Sequence, residues 1–220
     1  MNVFVHVNHK SESPHYGVLL CVSGTGILNS WLKRTMASQG DNSLSYDEMN
    51  ELASTVDPGA DGLFVLPYGN GAERTLGNRD VGSLLHGLNF NTHTEAHVFR
   101  AAQEGIVFAL NYGLRIMRDL GIRLATVKAG YANMFLSPLF RDVFASLTGA
   151  TIELYDTDGS QGAARGAGIG AGIYKSYEDA FVGLKPLTTT VPNERLSPVY
   201  EELFARWQKV LTHELDREGY

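Results

Sequence analysis

The chain opens on two apolar runs joined by a polar, turn-like link. Residues 3–7, which end at Val7, alternate with the period of a strand, and residues 16–22 form the second run. Together these runs predict a β-hairpin. Apolar residues at helical spacing follow the segment Ser23-Gly24-Thr25-Gly26 and predict a first helix; they are Ile27, Leu28, Trp31 and Leu32.

Helical and strand patterns alternate along the rest of the chain. We predict a helix from Ser45, a buried strand over 63–66, and an extended loop with little regular structure over 67–94. The longest helical pattern runs from Thr94 to Leu120 and ends at Gly121, although Thr94 with His97 is a poor capping box. The remaining predicted elements are strands over 124–127 and 151–155 and helices over 138–147, 161–174 and 198–215.

This order of elements is typical of a layered α/β domain. The opening hairpin and the strand at 63–66 predict a mixed sheet. No repeat, low-complexity tract or linker divides the sequence, so we expect a single domain over 1–220.

Composition narrows the classes of function. The 220 residues include 18 Lys and Arg against 24 Asp and Glu, a net charge of −6, which argues against nucleic-acid binding by phosphate neutralisation. The longest weakly polar stretch, 159–174, contains Arg165 and is shorter than the roughly 20 residues of a membrane span. The first residues lack a signal-peptide pattern. We therefore expect a cytoplasmic protein without a membrane partner, in which the single cysteine, Cys21, is an inert core thiol.

Three glycine-bearing corners follow predicted strands and open predicted helices, where free backbone N–H groups favour anions. They are 23–26, 128–133 and 158–172. The first lacks the lysine and the spacing of a P-loop. In the second, the amide of Asn133 could bind a base or ribose edge. From the residues alone, an ordinary strand-to-helix turn is favoured for the first corner and explains the second equally well.

The third corner has a different character. Gly166-x-Gly168-x-x-Ala171 satisfies a permissive dinucleotide fingerprint, but it lies inside the predicted helix, and no acidic residue follows at about 20 residues as that motif requires. Gly162, Gly166 and Gly170 instead recur every four residues. This spacing predicts a ridge of small residues against which another backbone packs closely.

Other candidate sites are weaker. His93 and His97 form HxExH rather than HExxH, and no third metal ligand is evident. Asp156 and Asp158 flank a turn, where we expect capping rather than acid–base chemistry. Taken alone, these motifs indicate an α/β domain that could bind a nucleotide.

Several segments in the same order resemble the FGGY carbohydrate kinases. Residues 83–88, followed by 97–105, are similar to the second signature of that family and depart from it at Gln103, where the family has an aliphatic residue. Residues 63–68 and 73–75 resemble its "LPY…GERT" stretch. Residues 129–133 stand where the family has its nucleotide loop, and the helix from Gly162 resembles the one that follows. Within the family the likeness is to the xylulokinases, through 132–135 and 158–172.

The resemblance implies an α/β, ribonuclease H-like or actin-like ATPase fold with two lobes. The C-terminal lobe holds ATP with Mg²⁺, the sugar binds between the lobes, and an Asp of the N-terminal lobe acts as the base. This chain resembles the later part of the C-terminal lobe, with no counterpart of the N-terminal sugar lobe or of the first part of the ATP lobe. The nucleotide contacts that carry over are Gly26, Ser30, Ala129, Gly130 and Asn133. No catalytic or metal-ligating residue carries over.

The resulting hypothesis is the nucleotide-binding part of an ATP-dependent sugar kinase that converts D-xylulose and ATP into D-xylulose 5-phosphate and ADP. We expect the chain alone to be inactive, and an exposed lobe face would allow a homodimer. One alternative is a non-catalytic nucleotide-binding or interaction module derived from such a kinase. Another is an enzyme of a different class that uses a metal at His93 and His97. The identity of the sugar stays open, because the lobe that contacts it has no counterpart here.

Overall fold

A computed structural model of the chain describes residues 2–6, 8–36, 38–39 and 42–217; Val7, the end of the first predicted strand, lies outside this range. The strands are β1 (Asn2–Val5), β2 (Tyr16–Leu19), β3 (Ser38–Gln39), β4 (Asn42–Ser43), β5 (Phe64–Tyr68), β6 (Gly82–His86), β7 (Thr126–Gly130), β8 (Thr151–Tyr155) and β9 (Pro186–Thr190). The helices are α1 (Thr25–Thr35), α2 (Tyr46–Ser54), α3 (Glu95–Asp119), α4 (Pro138–Thr148), α5 (Gly159–Gly170), α6 (Tyr177–Ala180) and α7 (Ser197–Arg217). Single 3₁₀ turns occupy Ala60–Gly62, Arg74–Leu76 and Asn133–Leu136.

The strands form small sheets rather than one continuous layer. Antiparallel pairs join β1 to β2, β3 to β4 and β5 to β6, while β8 lies between a parallel β7 and an antiparallel β9. The α/β class and the opening hairpin are therefore confirmed. A mixed sheet is also present, but it consists of β7, β8 and β9. In the described part of the chain, the hairpin and the strand near residue 63 belong to separate sheets.

Sequence reasoning missed four strands: the two-residue β3 and β4, and the longer β6 and β9. The predicted loop 67–94 contains β6, which pairs with β5 from Phe64 opposite His86 to Tyr68 opposite Gly82, and it also contains the 3₁₀ turn at Arg74–Leu76. The prediction of little regular structure was therefore wrong. β6 and β9 are mostly exposed and carry no continuous apolar pattern, so pairing with a buried neighbour determines their conformation.

Helix α3 is the central element of the core. It contacts α1, α2, α4, α7 and β5, and consecutive residues from Ile106 to Ala109 are fully buried, which requires neighbours on every side of the helix. At its start, the Thr94 backbone N–H donates to Nδ1 of His97 at 3.1 Å, so the imidazole takes the place of the usual capping carboxylate. Gly121 has φ +83° and ends the helix as predicted.

A buried ion pair ties α3 to two other segments. Nε of Arg100 donates to Oε1 of Glu104 at 2.6 Å, and the other guanidinium nitrogens donate to the Val56 carbonyl (2.9 Å) and the Tyr200 hydroxyl (2.8 Å). The Gly59 N–H donates to both Glu104 oxygens at 3.1 Å. Burial raises the pKa of Glu104, and Arg100 opposes that change; burial also raises the pKa of Tyr200 to about 12.

The predicted glycine ridge is open. A Cβ added at Gly162, Gly166 or Gly170 would meet no atom of the described residues within 4 Å, so the expectation of a closely packed backbone was wrong. Helix α5 also ends at Gly170, earlier than the predicted 174. Gly105 in α3, by contrast, is crowded by backbone: an added Cβ would lie 2.3 Å from the Val65 carbonyl oxygen.

Cys21 is exposed, contrary to the prediction of a core thiol. It follows β2, and the hairpin as a whole buries little surface: Val3 is 61% exposed and Tyr16 is 62% exposed. An apolar run therefore does not imply a core position where no layer covers it. Among the described residues, no helix is both long and apolar enough to cross a membrane.

The contrast between the two kinds of helical glycine is testable. We expect Gly166→Ala to raise the free energy of unfolding by about 0.5–1 kcal/mol, because alanine is the better helix former and meets open space. The matched change Gly105→Ala should lower it by about 1–3 kcal/mol, because its methyl group collides with the β5 backbone. Urea unfolding followed by circular dichroism measures both. Destabilisation by Gly166→Ala would show that the ridge is packed after all.

The buried pair gives a second prediction. Glu104→Leu leaves the Arg100 guanidinium buried without its carboxylate and should cost about 3–5 kcal/mol of unfolding free energy. The control Glu201→Leu removes a surface pair with Arg115 and should cost less than about 1 kcal/mol. Equal costs in thermal unfolding would contradict this account of the core.

Candidate nucleotide site

A cavity of about 250 Å³ lies between α1, α2 and the 3₁₀ turn that follows β7. Its lining residues are Gly26, Asn29, Tyr46, Asp47, Asn50, Asn133, Met134, Leu136 and Ser137. Two residues predicted as nucleotide contacts, Gly26 and Asn133, thus meet in one concave site although they lie far apart in the sequence.

The position of Asn133 follows from the corner after β7. Asn133 has φ +57°, a left-handed conformation that asparagine tolerates better than most residues. Just before it, a Cβ on Gly130 would lie 2.5 Å from the Thr157 carbonyl oxygen, so only glycine allows this approach. The Tyr131 N–H donates to the same oxygen at 3.2 Å. The second and third glycine corners therefore touch at the carboxyl ends of two parallel strands.

The third glycine corner, residues 158–172, contains a carboxylate that belongs to the chain itself, that of Asp158. Oδ1 of Asp158 accepts hydrogen bonds from the Ser160 hydroxyl (2.6 Å) and the Gln161 N–H (2.8 Å), and these bonds, that of Ser160 first, lower the pKa of Asp158. The predicted capping role of Asp158 is confirmed. Because this carboxylate occupies the positive end of α5, the helix terminus by itself is not a phosphate site.

The first corner is fixed by the loop after β5. The Ser23 N–H donates to Oε2 of buried Glu73 at 2.7 Å, and Nδ2 of Asn70 donates to the Ser23 carbonyl at 3.1 Å. A Cβ at Gly24 would collide with the Pro67 carbonyl, whereas one at Gly26 would meet nothing within 4 Å. Gly26 is therefore an open backbone position on a helix whose start is held rigidly.

The other three predicted contacts lie elsewhere. The Ser30 hydroxyl donates to the Ile27 carbonyl (3.0 Å) and accepts from Arg34 (3.1 Å), and it does not line the cavity. Ala129 is buried in the core, so its side chain faces away from any ligand. Ala129 and Gly130 precede Asn133 in the chain but are not part of the cavity wall.

Helix α2 contributes wall residues that sequence reasoning missed, notably Tyr46, Asp47 and Asn50. The helix begins with a capping box in which the Glu48 N–H donates to the Ser45 hydroxyl (3.2 Å) and the Ser45 N–H donates to the Glu48 carboxylate (2.7 Å). The hydrogen bond from the Ser45 backbone lowers the pKa of Glu48. The Ser-x-x-Glu spacing is readable in the sequence, but the surface that the helix faces is not.

His93 and His97 have local structural partners. The Asn89 N–H donates to Nδ1 of His93 at 2.9 Å, and Nε2 of His97 lies 3.3 Å from Oδ2 of Asp61. The two rings are 5.4 Å apart. Within residues 2–217, in the part that the structure describes, no group of three or more His, Cys, Asp and Glu side chains could hold a metal ion.

The chemistry of the cavity wall suits a planar heterocycle. Amides, a tyrosine ring and one carboxylate, that of Asp47, supply a polar edge, and Met134 and Leu136 supply apolar surface. The lining residues include neither Lys nor Arg. The wall therefore matches a nucleobase and ribose better than a polyphosphate.

Comparison with known proteins identifies the family. The FGGY family of carbohydrate kinases, C-terminal domain, matches residues 2–173. A xylulose kinase of Bacillus subtilis is 27% identical over 216 residues, which cover 95% of this chain and 41% of that protein. An L-xylulose/3-keto-L-gulonate kinase of Escherichia coli is 28% identical over 173 residues, or 76% and 33% of the two chains. A gluconokinase of Bacillus licheniformis is 35% identical over 95 residues, which cover 40% of this chain and 18% of that protein.

Solved structures show the same fold. The ligand-bound xylulose kinase of Lactobacillus acidophilus superposes with a TM-score of 0.77 at 20% identity and covers 93% of this chain and 41% of its own. The glycerol kinase of Plasmodium falciparum with ADP gives a TM-score of 0.73 at 20% identity, and the match covers 97% of this chain and 42% of that protein. The chain thus spans about two fifths of the length of these proteins. It belongs to the FGGY family of carbohydrate kinases and has the α/β, actin-like ATPase fold of that family's C-terminal domain.

Proposed function

We propose that this chain is the adenine-nucleotide-binding part of an ATP-dependent sugar kinase that is similar to the xylulose kinases and acts on D-xylulose. The observation that carries the proposal is the cavity in which Gly26 and Asn133 meet. The likeness to xylulose kinases supports the choice of sugar, and the relative that is a gluconokinase marks gluconate as the competing substrate.

The wall positions suggest how a nucleotide is held. The Asn133 amide can both donate and accept a hydrogen bond at a base edge. The open backbone at Gly26 lets a ribose or base approach α1 without a side chain in the way. Ala129 and Gly130 would contribute backbone groups beside the ribose and phosphates, and Ser30 a more distant contact.

Phosphoryl transfer needs more than this cavity offers. The reaction moves the γ-phosphoryl group in line onto a sugar hydroxyl and requires a base for that hydroxyl and Mg²⁺ on the phosphates. The cavity wall has one carboxylate, that of Asp47, and the described residues include no group of three or more His, Cys, Asp and Glu side chains that could hold a metal ion. In this proposal, the residues of the cavity bind and orient the nucleotide.

Asn133→Asp tests the nucleotide site. The change keeps a residue that tolerates the left-handed backbone but replaces the amide donor by a charged acceptor, so we expect ADP to bind at least about tenfold more weakly. Asn78→Asp is the control, because Asn78 has the same backbone conformation (φ +65°) and does not line the cavity. Isothermal titration calorimetry measures both affinities. Equal affinities of the two variants would refute this site.

The isolated chain should bind ADP without phosphorylating D-xylulose. A coupled assay of ADP release, with the full-length Bacillus subtilis xylulose kinase as the positive control, tests this expectation. ATP-dependent formation of xylulose 5-phosphate by the 220-residue chain would overturn the assignment of these residues to binding alone. Absence of both binding and activity would instead favour an interaction module.

A further inference from the structure

Gln103 touches two walls of the candidate site from inside the core. It lies on α3, is 2% exposed and does not line the cavity. Its Nε2 donates to Oδ1 of Asn50 at 2.9 Å, and its Oε1 accepts from the Ser137 hydroxyl at 2.8 Å. Asn50 on α2 and Ser137 at the start of α4 both line the cavity.

The donor and acceptor can be assigned for each hydrogen bond that links Ser137, Gln103 and Asn50. The Ser137 oxygen accepts from the Phe140 N–H at 3.2 Å as the cap of α4, and its own proton goes to Oε1 of Gln103. The amide nitrogen of Gln103 is therefore the group that donates to Asn50. With its oxygen occupied, Asn50 has Nδ2 left, and this nitrogen has no hydrogen-bond partner among the described residues.

Asp47 and Asn50 lie one helical turn apart on α2, and both line the cavity. The carboxylate of Asp47 can only accept hydrogen bonds, whereas the amide nitrogen of Asn50 can only donate them. Adenine offers the complementary pair, an exocyclic amino donor beside a ring-nitrogen acceptor. Hypoxanthine, which has the same ring size, places a carbonyl oxygen where adenine has its amino group.

We propose that Gln103 is a positioning residue for base selectivity, which holds the Asn50 amide so that its nitrogen faces a bound adenine. The proposal rests on the proposed function of the cavity as a nucleotide site.

The experiment compares ADP with inosine diphosphate by isothermal titration calorimetry. We expect the wild-type chain to prefer ADP, and Gln103→Leu to lower the ratio of the two affinities about three- to tenfold, because Asn50 is then free to turn. Gln103→Glu should lower the ratio further. A carboxylate cannot donate to Oδ1 of Asn50, so the amide turns, donates its own nitrogen and presents oxygen to the ligand.

The ratio separates positioning from a loss of structure. A variant that is partly unfolded binds both nucleotides more weakly by the same factor and leaves the ratio unchanged. Gln208→Leu on α7 is the matched control and should also leave it unchanged. If Gln103→Leu retains the wild-type ratio, the positioning role is wrong while the nucleotide site stands. If the wild-type chain binds neither nucleotide, the proposed function fails, and this inference fails with it.

A measurement on the wild-type chain covers the case in which the variants do not fold. The side-chain ¹⁵N–¹H₂ resonances of Asn50 should shift when ADP is added, because the amide nitrogen gains an acceptor. Saturating ADP that leaves these resonances in place would overturn the proposal.

Discussion

The fold depends on the burial of a charged pair in the middle of its central helix. Arg100 and Glu104 lie one turn apart on α3, and both are almost completely buried. Charges removed from water must be matched by partners, and here the Val56 carbonyl, the Gly59 N–H and the Tyr200 hydroxyl supply them. The segment after α2 and the first turn of α7 can therefore take only a narrow range of positions against α3.

Three consecutive residues of α3 connect this core to the candidate site. Gln103 reaches Asn50 and Ser137 at the cavity, Glu104 anchors the loop after α2, and Gly105 lets the β5 backbone approach at Val65. Since Gln103 holds the wall residue Asn50 of α2 and Glu104 holds the loop that follows this helix, the position of the wall that α2 contributes depends on contacts with the core.

Whether an element can be predicted from the sequence depends on whether its own residues or its packing partners determine its structure. Long helices with an apolar stripe, such as α3 and α7, are predictable because their apolar positions recur with the helical period, although the middle of α3 is buried on every side. β6 and β9 lack that signal and form only because a partner strand is present. In the site, Asn133 follows from a local motif and Gly26 from the family resemblance, whereas Asn50 depends on how α2 packs against α3. The spacing of Gly162, Gly166 and Gly170 shows that close packing is allowed, not that a partner exists.

The absence of Lys and Arg from the cavity wall implies that the proposed kinase would bind the base and the phosphates of ATP in different places. Base and ribose can be bound by amides and open backbone, which need no compensating charge. The phosphates of ATP need cations, and the cavity wall has none, while the chain's own Asp158 occupies the positive end of α5. In the proposed site, nucleotide affinity would therefore come from the base and the ribose. Under the proposed function, discrimination between nucleotides and transfer of the phosphoryl group are physically separate: the first would depend on buried hydrogen bonds such as those of Gln103, and the second on charged groups outside this cavity.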